Sequence, residues 1–434
     1  MSLFEPADGI LETHVTWEDI ETDLQKKLGT KATFGDNKKA TNISDLKGFM
    51  SRIALVEPDW QNVEEGKELP NKFALKVSFE TEKSETRKVV FEISSQLALV
   101  AVSKIMNFED GKGFSDEKMN KLSKLTRDCH NREVETYKIL SKFNHPDVPY
   151  TKVYSLKSFE EENDLKGYMI IDFVSNVHHV PVFRTIPADE LIPLVRGIAT
   201  FSALAQSLSL TETSFVMGKD YLEILFKDFF NDTELNKKFE GLRKQFSEEN
   251  QEKVGKVIDT FHHYKTLVPK YTNISDILGL KLVLNHGDLW QANVIHSMGE
   301  DGKLKLEAMI DWQGVSRIPP GLDLSRLLLM CLSGKDRRQK GNEIIKCYYE
   351  TFTKVYGKEL FSLQELQDSY KLYAPMTAMM LLPDINSFIE SSGVSEEEKD
   401  EARKESKKNM VAMMEDILDI HEYNLNKYSD FMKV

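Results

Sequence analysis

Leu284-Asn285-His286-Gly287-Asp288-Leu289-Trp290-Gln291-Ala292-Asn293-Val294 is the stretch whose reading decides the architecture. An aspartate lies five residues before an asparagine, on a loop between short apolar segments. Eighteen residues after Asn293 comes Met309-Ile310-Asp311-Trp312, a second apolar run ending on a carboxylate. Phosphoryl transfer asks for a carboxylate that orients the attacking hydroxyl. It also asks for oxygen ligands to a Mg²⁺ ion that bridges the phosphates. His-x-Asp-x-x-x-x-Asn followed by a strand-end Asp supplies that set. Asp288 is the candidate catalytic base, orienting the acceptor and taking its proton late. Asn293 and Asp311 are the candidate metal ligands. A lone Asp-x4-Asn is common, and a loop aspartate usually makes a turn. Here the pattern gains weight because the loop sits between strands and a second aspartate closes the next hairpin strand.

Working outward, the first part of the chain should grip a nucleotide. Residues 72–80 alternate, with Phe73, Leu75 and Val77 on one face and Ala74 and Lys76 on the other. A lysine in the middle of an apolar strand is costly unless paired. A small residue beside an adenine ring and a lysine reaching phosphate is the pattern of a kinase third strand. On the helix that follows, Glu133 in Arg132-Glu133-x3-Tyr137 is the preferred ion-pair partner of Lys76, and Glu135 is the rival. Gly48-Phe49-Met50-Ser51-Arg52 precedes a strand; its backbone N–H groups and the Ser51 hydroxyl suit a phosphate cap, and a plain strand start fits equally. Asp172 and Val174, in Tyr168-Met-Ile-Ile-Asp172-Phe-Val174, occupy the place of an inter-lobe hinge whose backbone reads adenine.

The organisation agrees with that division. A capped helix is expected over 16–28, with Thr16 at its start. Strands are expected over 48–57, 72–80, 87–93, 151–158 and 168–174, with a helix over 115–142. Helical periodicity then dominates over 191–208, 221–230, 234–263, 324–332, 343–355, 363–382 and 396–426. One hairpin, 282–310, interrupts it. The expectation is α+β: a small β-rich half over residues 1–173 and a large helical half over 174–434, which carries the catalytic hairpin (282–323) and the acceptor site. Clefts between such halves favour ligands. Residues 395–408 carry mixed charges at helical spacing and read as a solvated face. Met376, Met379, Met380, Met413 and Met414 read as core filler, and His178-His179 as no metal pair.

Composition narrows the function further. The 434 residues are 41% hydrophobic and 29% charged, an ordinary globular balance. The net charge of −13 makes a nucleic acid an unfavourable partner. No apolar run approaches the ~20 residues of a membrane helix, and the N-terminus lacks a signal or transit pattern. Cys129, Cys331 and Cys347 make neither a disulfide framework nor a metal knuckle, so a cytoplasmic setting is the default.

At His286-Gly-Asp-Leu-Trp-Gln-Ala-Asn293 with Ile310-Asp-Trp-Gln313, the chain resembles the choline-kinase-like and aminoglycoside-phosphotransferase-like kinases. Within them it is most similar to the ecdysteroid-kinase-like branch, in particular its nematode group, over nearly the whole chain. The resemblance implies a bilobed protein-kinase-like fold and ATP- and Mg²⁺-dependent phosphorylation of a small-molecule hydroxyl, on a choline-, steroid- or xenobiotic-like alcohol. No obligate protein partner is evident in the sequence. The resemblance gives Asp288 the role of base, Asn293 and Asp311 the metal, Lys76 and Glu133 the phosphate-gripping pair, and Asp323 the support of the catalytic loop. Asp311-Trp312-Gln313 stands where protein kinases have Asp-Phe-Gly. A protein substrate is disfavoured. Gly287 replaces the arginine that precedes the catalytic aspartate in protein kinases, and only residues 312–322 separate Asp311 from Asp323. Trp290 and Trp312 are candidate aromatic walls of the acceptor pocket, and simple packing fits them equally. A catalytically silent nucleotide-binding protein is the alternative.

Overall fold

A computed structural model describes residues 3, 5–43, 51–78, 116–161, 164–228, 230–390, 392 and 394–434. The expected strand at 87–93 and the Gly48–Met50 half of the phosphate-cap segment lie outside these residues. The chain divides into two compact units. The first comprises Met1–His145, Tyr150–Val177 and Glu307–Gln313; the second comprises Pro146–Pro149, His178–Leu306 and Gly314–Val434. The class is α+β, as expected.

The first unit is built on a five-stranded antiparallel sheet in the order Lys39–Asn42, Ser51–Glu57, Phe73–Ser78, Tyr168–Asp172, Val153–Lys157. Alternation fixes its faces. Phe73, Leu75 and Val77 bury against Ile20 and Leu24 of the Trp17–Leu28 helix. That helix starts in a Thr16–Asp19 capping box and ends at Gly29, whose φ of 62° is left-handed. Lys76 therefore faces the other way, toward the long helix Asp116–Phe143.

Three consecutive residues pin that helix. His130 accepts from the Ser78 hydroxyl through Nδ1 (2.8 Å) and donates from Nε2 to the Lys157 carbonyl (2.8 Å). Asn131 exchanges two hydrogen bonds with the Phe159 backbone (2.8 and 2.9 Å). Arg132 donates to the Gln313 carbonyl (2.7 Å). Burial keeps His130 neutral, with its pKa pulled down to about 4.

The second unit is mostly helical. Helix Ala188–Leu204 packs on Gly334–Tyr356, and Gly321–Cys331 packs on Leu363–Leu381. The long Glu396–Lys427 helix starts in a Ser395–Glu398 capping box. The five methionines are core residues, each no more than 4% exposed. The single helix expected over 234–263 is two, Asp232–Lys244 and Glu248–Thr266. Ser247 takes an extended N-cap conformation before Glu248 and Glu249, and Phe246 turns into the core. This local start signal overrides the continuing periodicity. A strand not anticipated, Ser316–Ile318, pairs antiparallel with Val283–Asn285, next to the loop that carries Asp288. No helix among the described residues is long and apolar enough to cross a membrane. All three cysteines are free thiols.

Candidate active site

In the first unit, residues far apart in sequence gather round one ammonium. Lys76 Nζ donates to Glu133 Oε1 and Oε2 (2.9 and 2.7 Å) and to Asp311 Oδ1 (3.1 Å). The rivalry between the glutamates is thereby decided: Glu133 is buried on the sheet-facing side, while Glu135 pairs with Lys138 (2.6 Å) on the outer face. Burial opposes the charge on Lys76, but Asp311 and Glu133 outweigh it and hold the ammonium above the ordinary lysine range. Burial pushes the Glu133 carboxyl upward; Lys76 pulls it back, and Asp311 adds to the rise. One cation thus serves two carboxylates.

Asp311 has a left-handed backbone, with φ of 64°, which an aspartate adopts only at a cost. The turn is held from both sides: Gln313 Nε2 donates to Asp311 Oδ2 (3.3 Å), and Arg132 fixes the Gln313 carbonyl. Gln313, the departure from Asp-Phe-Gly, is therefore a support for Asp311.

In the second unit, the loop that holds Asp288 is anchored at almost every residue. Asp323 Oδ2 and Oδ1 accept the backbone N–H groups of His286 (2.7 Å) and Gly287 (2.9 Å), so this side chain does support the loop. Burial raises Asp323 to about 6, even though both N–H bonds pull it down. His286 Nδ1 accepts from the Asp288 N–H (3.3 Å). Gln291 donates to the Val182 carbonyl (2.8 Å). Gly287 is required twice over. Its φ is 83°, and a Cβ there would lie 1.9 Å from the Gly314 carbonyl oxygen.

Asp288 is fully buried, and each carboxylate oxygen has a donor: Asn293 Nδ2 reaches Oδ2 (2.9 Å), and Arg326 Nη1 reaches Oδ1 (2.7 Å). Arg326 escaped the sequence reading. Its signal was there, a guanidinium inside the apolar run 324–332, where an unpaired charge is prohibitive. Burial works against Arg326, and Tyr221, Asp288 and Asp323 more than compensate, so its pKa rises.

Asp311 and Asn293 suit Mg²⁺ chemically, being hard oxygen donors. Asn293 spends its Nδ2 on the Asp288 carbonyl and carboxylate, which leaves Oδ1 as the atom for a cation. No cluster of three or more His, Cys, Asp or Glu among the described residues is arranged to hold a metal.

The hydrogen bonds of Lys76 go to Glu133 and Asp311, not to Ser51, Asp172 or Val174. Ser51 opens its strand opposite Ser78. Asp172 closes its strand with its N–H on the Lys152 carbonyl (2.8 Å) and its Oδ1 taking the Tyr154 hydroxyl (2.9 Å). Val174 lies two residues past that strand, half-buried. The tryptophans are packing, not pocket walls. Trp312 is completely buried and donates to the Met309 carbonyl (3.1 Å), and Trp290 lies against Phe388.

Fold and site define an α+β chain with a lysine–glutamate–aspartate cluster in one unit and a pinned Asp–Asn loop in the other. A family model described as "Uncharacterized oxidoreductase dhs-27" (DUF1679) matches residues 3–86 and 79–425. The chain belongs to this DUF1679 family. It is similar to "Uncharacterized kinase-like protein D1044.1" of Caenorhabditis elegans, 24% identical over 273 residues, which is 60% of this chain. The match spans 65% of that relative's length. Among solved structures it is similar to a choline kinase from Cryptosporidium parvum, at 11% identity, 96% and 99% coverage of the two chains and a TM-score of 0.49. It is also similar to the aminoglycoside phosphotransferase APH(2")-IIia in its GDP and kanamycin complex, at 13% identity, 89% and 98% coverage and a TM-score of 0.43. The printed names of these two solved structures are those of a choline kinase and an aminoglycoside phosphotransferase.

Proposed function

We propose that this protein is a phosphotransferase that moves the γ-phosphoryl group of ATP to a hydroxyl of a small molecule, a choline-, steroid- or xenobiotic-like alcohol. The observation that carries the reading is the single ammonium of Lys76 held between Glu133 and Asp311, residues separated from it by 57 and 235 positions. A half-buried lysine bound only for stability would need one carboxylate; two leave negative charge that a bound cation offsets. The relative's kinase-like name supports the same direction.

In this reading residues 1–173 hold the nucleotide and 174–434 the acceptor. Lys76 grips phosphate oxygens, and Glu133 keeps it extended and charged. Ser51 caps the phosphates, and the backbone at Asp172 and Val174 faces the adenine. Asp311 and the Oδ1 of Asn293 hold Mg²⁺, which neutralises charge on the transferring group. Asp288 accepts a hydrogen bond from the acceptor hydroxyl, aims its oxygen and receives the proton as the new P–O bond forms. Such catalysis is mostly positioning and electrostatics.

A second reading, a silent nucleotide-binding protein, has one observation in its favour: Asp288 is fully buried with both oxygens already bonded. Two measurements separate them. ATP should raise the melting temperature much more with Mg²⁺ than with EDTA; equal shifts count against the metal assignment. A library of alcohols and amino-alcohols should then yield a product heavier by one phosphoryl group. Mg-ATP binding without phosphoryl transfer or ATP turnover would select the silent reading.

A further inference from the structure

We propose that Arg326 is a positioning residue for phosphoryl transfer, setting the orientation of the Asp288 carboxylate from within the Gly321–Cys331 helix; this rests on the phosphotransferase reading. Every residue of that helix is buried, and the Arg326 and Asp288 side chains are 2% and 0% exposed. A guanidinium is an expensive occupant of such a place, and an apolar side chain of similar volume packs there at lower cost. Arg326 is not even fully satisfied, since its Nε finds no acceptor. What the arginine does obtain is the 2.7 Å contact of Nη1 with Asp288 Oδ1.

That contact completes a two-sided grip. Asn293 Nδ2 holds Oδ2 (2.9 Å), and Arg326 holds Oδ1, so one fixed donor on each oxygen sets the plane of the carboxylate. The same helix also holds the loop backbone. Asp323, one turn before Arg326, takes the N–H groups of His286 and Gly287, and the Tyr221 hydroxyl, placed against Arg326, donates to the Gly287 carbonyl (3.3 Å). One rigid element therefore fixes both where the loop runs and how its carboxylate is turned. With both oxygens held, the direction from which an acceptor hydroxyl can approach is restricted. That restriction is what alignment for in-line transfer needs, and a misplacement of about 1 Å costs roughly 10²-fold in rate.

The test is a cycle of Arg326→Met, Arg326→Lys, Asp288→Asn and the Arg326→Met/Asp288→Asn double variant. Folded fractions are matched by circular dichroism, and ADP release from Mg-ATP is measured with water and with any alcohol found to react. Arg326→Met should lower kcat by about 10²-fold and leave KM for ATP within about twofold. Arg326→Lys, which keeps the charge but loses the planar fork, should recover part of that loss. In the Asp288→Asn background Arg326→Met should lower kcat no further, because the residue acts only through that carboxylate. A merely structural arginine would reduce the folded fraction and leave kcat per folded molecule unchanged. A folded Arg326→Met with wild-type kcat, or losses that multiply in the double variant, overturns the proposal. Should Arg326→Met not fold, Arg326→Lys at wild-type kcat overturns it equally. Absence of turnover in the wild type overturns the phosphotransferase reading itself, and the role of Arg326 with it.

Discussion

The two charge clusters solve opposite problems. In the first unit one cation serves two carboxylates, and the group stays within reach of solvent, with the Lys76 and Asp311 side chains 15% and 10% exposed. In the second, Asp288 is sealed, and its charge is met by Arg326, Asn293 and a loop whose backbone Asp323 holds. The first has one cation for two carboxylates and keeps some exposure, which suits the charged ligand proposed for it. The second holds its carboxylate by both oxygens, which suits the aiming role proposed for Asp288. Burial alone does not mark a site as structural or functional; the balance of charge and donors separates the two.

Asp288→Asn tests the rigid cluster with the largest effect. Turnover should fall by roughly 10² to 10⁴, while Mg-ATP still raises the melting temperature. Wild-type turnover in this variant would remove Asp288 from the chemistry and erase the contrast.

Lys76→Met strikes the open cluster. It leaves Glu133 and Asp311 as buried neighbouring carboxylates, at a cost of about 3 kcal/mol in urea unfolding. Mg²⁺ should restore part of this loss in the variant and do less for the wild type. Unchanged stability would mean that the lysine is not what holds the carboxylates together.

Gly287→Ala addresses rigidity directly. The left-handed φ and the approach to Gly314 leave no space for a methyl group, so stability should drop by at least about 2 kcal/mol. A variant with an unshifted unfolding midpoint would show that the loop yields easily.

The smallest effect concerns pH. His130 titrates near 4 in the fold, against 6.5 ordinarily. Between these values the unfolded chain takes a proton that the native state refuses, so stability is lost as pH falls through that window. The loss reaches about 2 kcal/mol by pH 5. His130→Gln lacks this titration, so its stability deficit relative to wild type should shrink between about pH 7 and pH 5. A constant deficit would indicate that His130 already protonates in the folded state.

Much of the fold was legible because its signals are local. Alternation at Phe73–Ser78 placed Lys76 opposite the core, and the capping residue Thr16 sits where its helix begins. Where a local signal was outvoted by periodicity, at Ser247, the reading failed. Trp290 and Trp312 stayed undecided between wall and packing for a related reason: an aromatic residue next to a motif has the same one-dimensional signature whether it lines a pocket or fills the core. Ser316–Ile318, only three residues long, was too short to read as a strand before its partner Val283–Asn285 was in view.

The sequence by itself determined the α+β class, the spacing of Asp288, Asn293 and Asp311, and the face on which Lys76 lies, because these depend on strand period, turn chemistry and residue type within a short window. Only the tertiary structure decided that Glu133 rather than Glu135 meets Lys76, that Gln313 steadies Asp311, and that Arg326 closes on Asp288. A buried charge needs a partner, and that demand can be read from a lone arginine in an apolar helix. Which partner meets it, 38 residues away in this case, depends on the path of the folded chain.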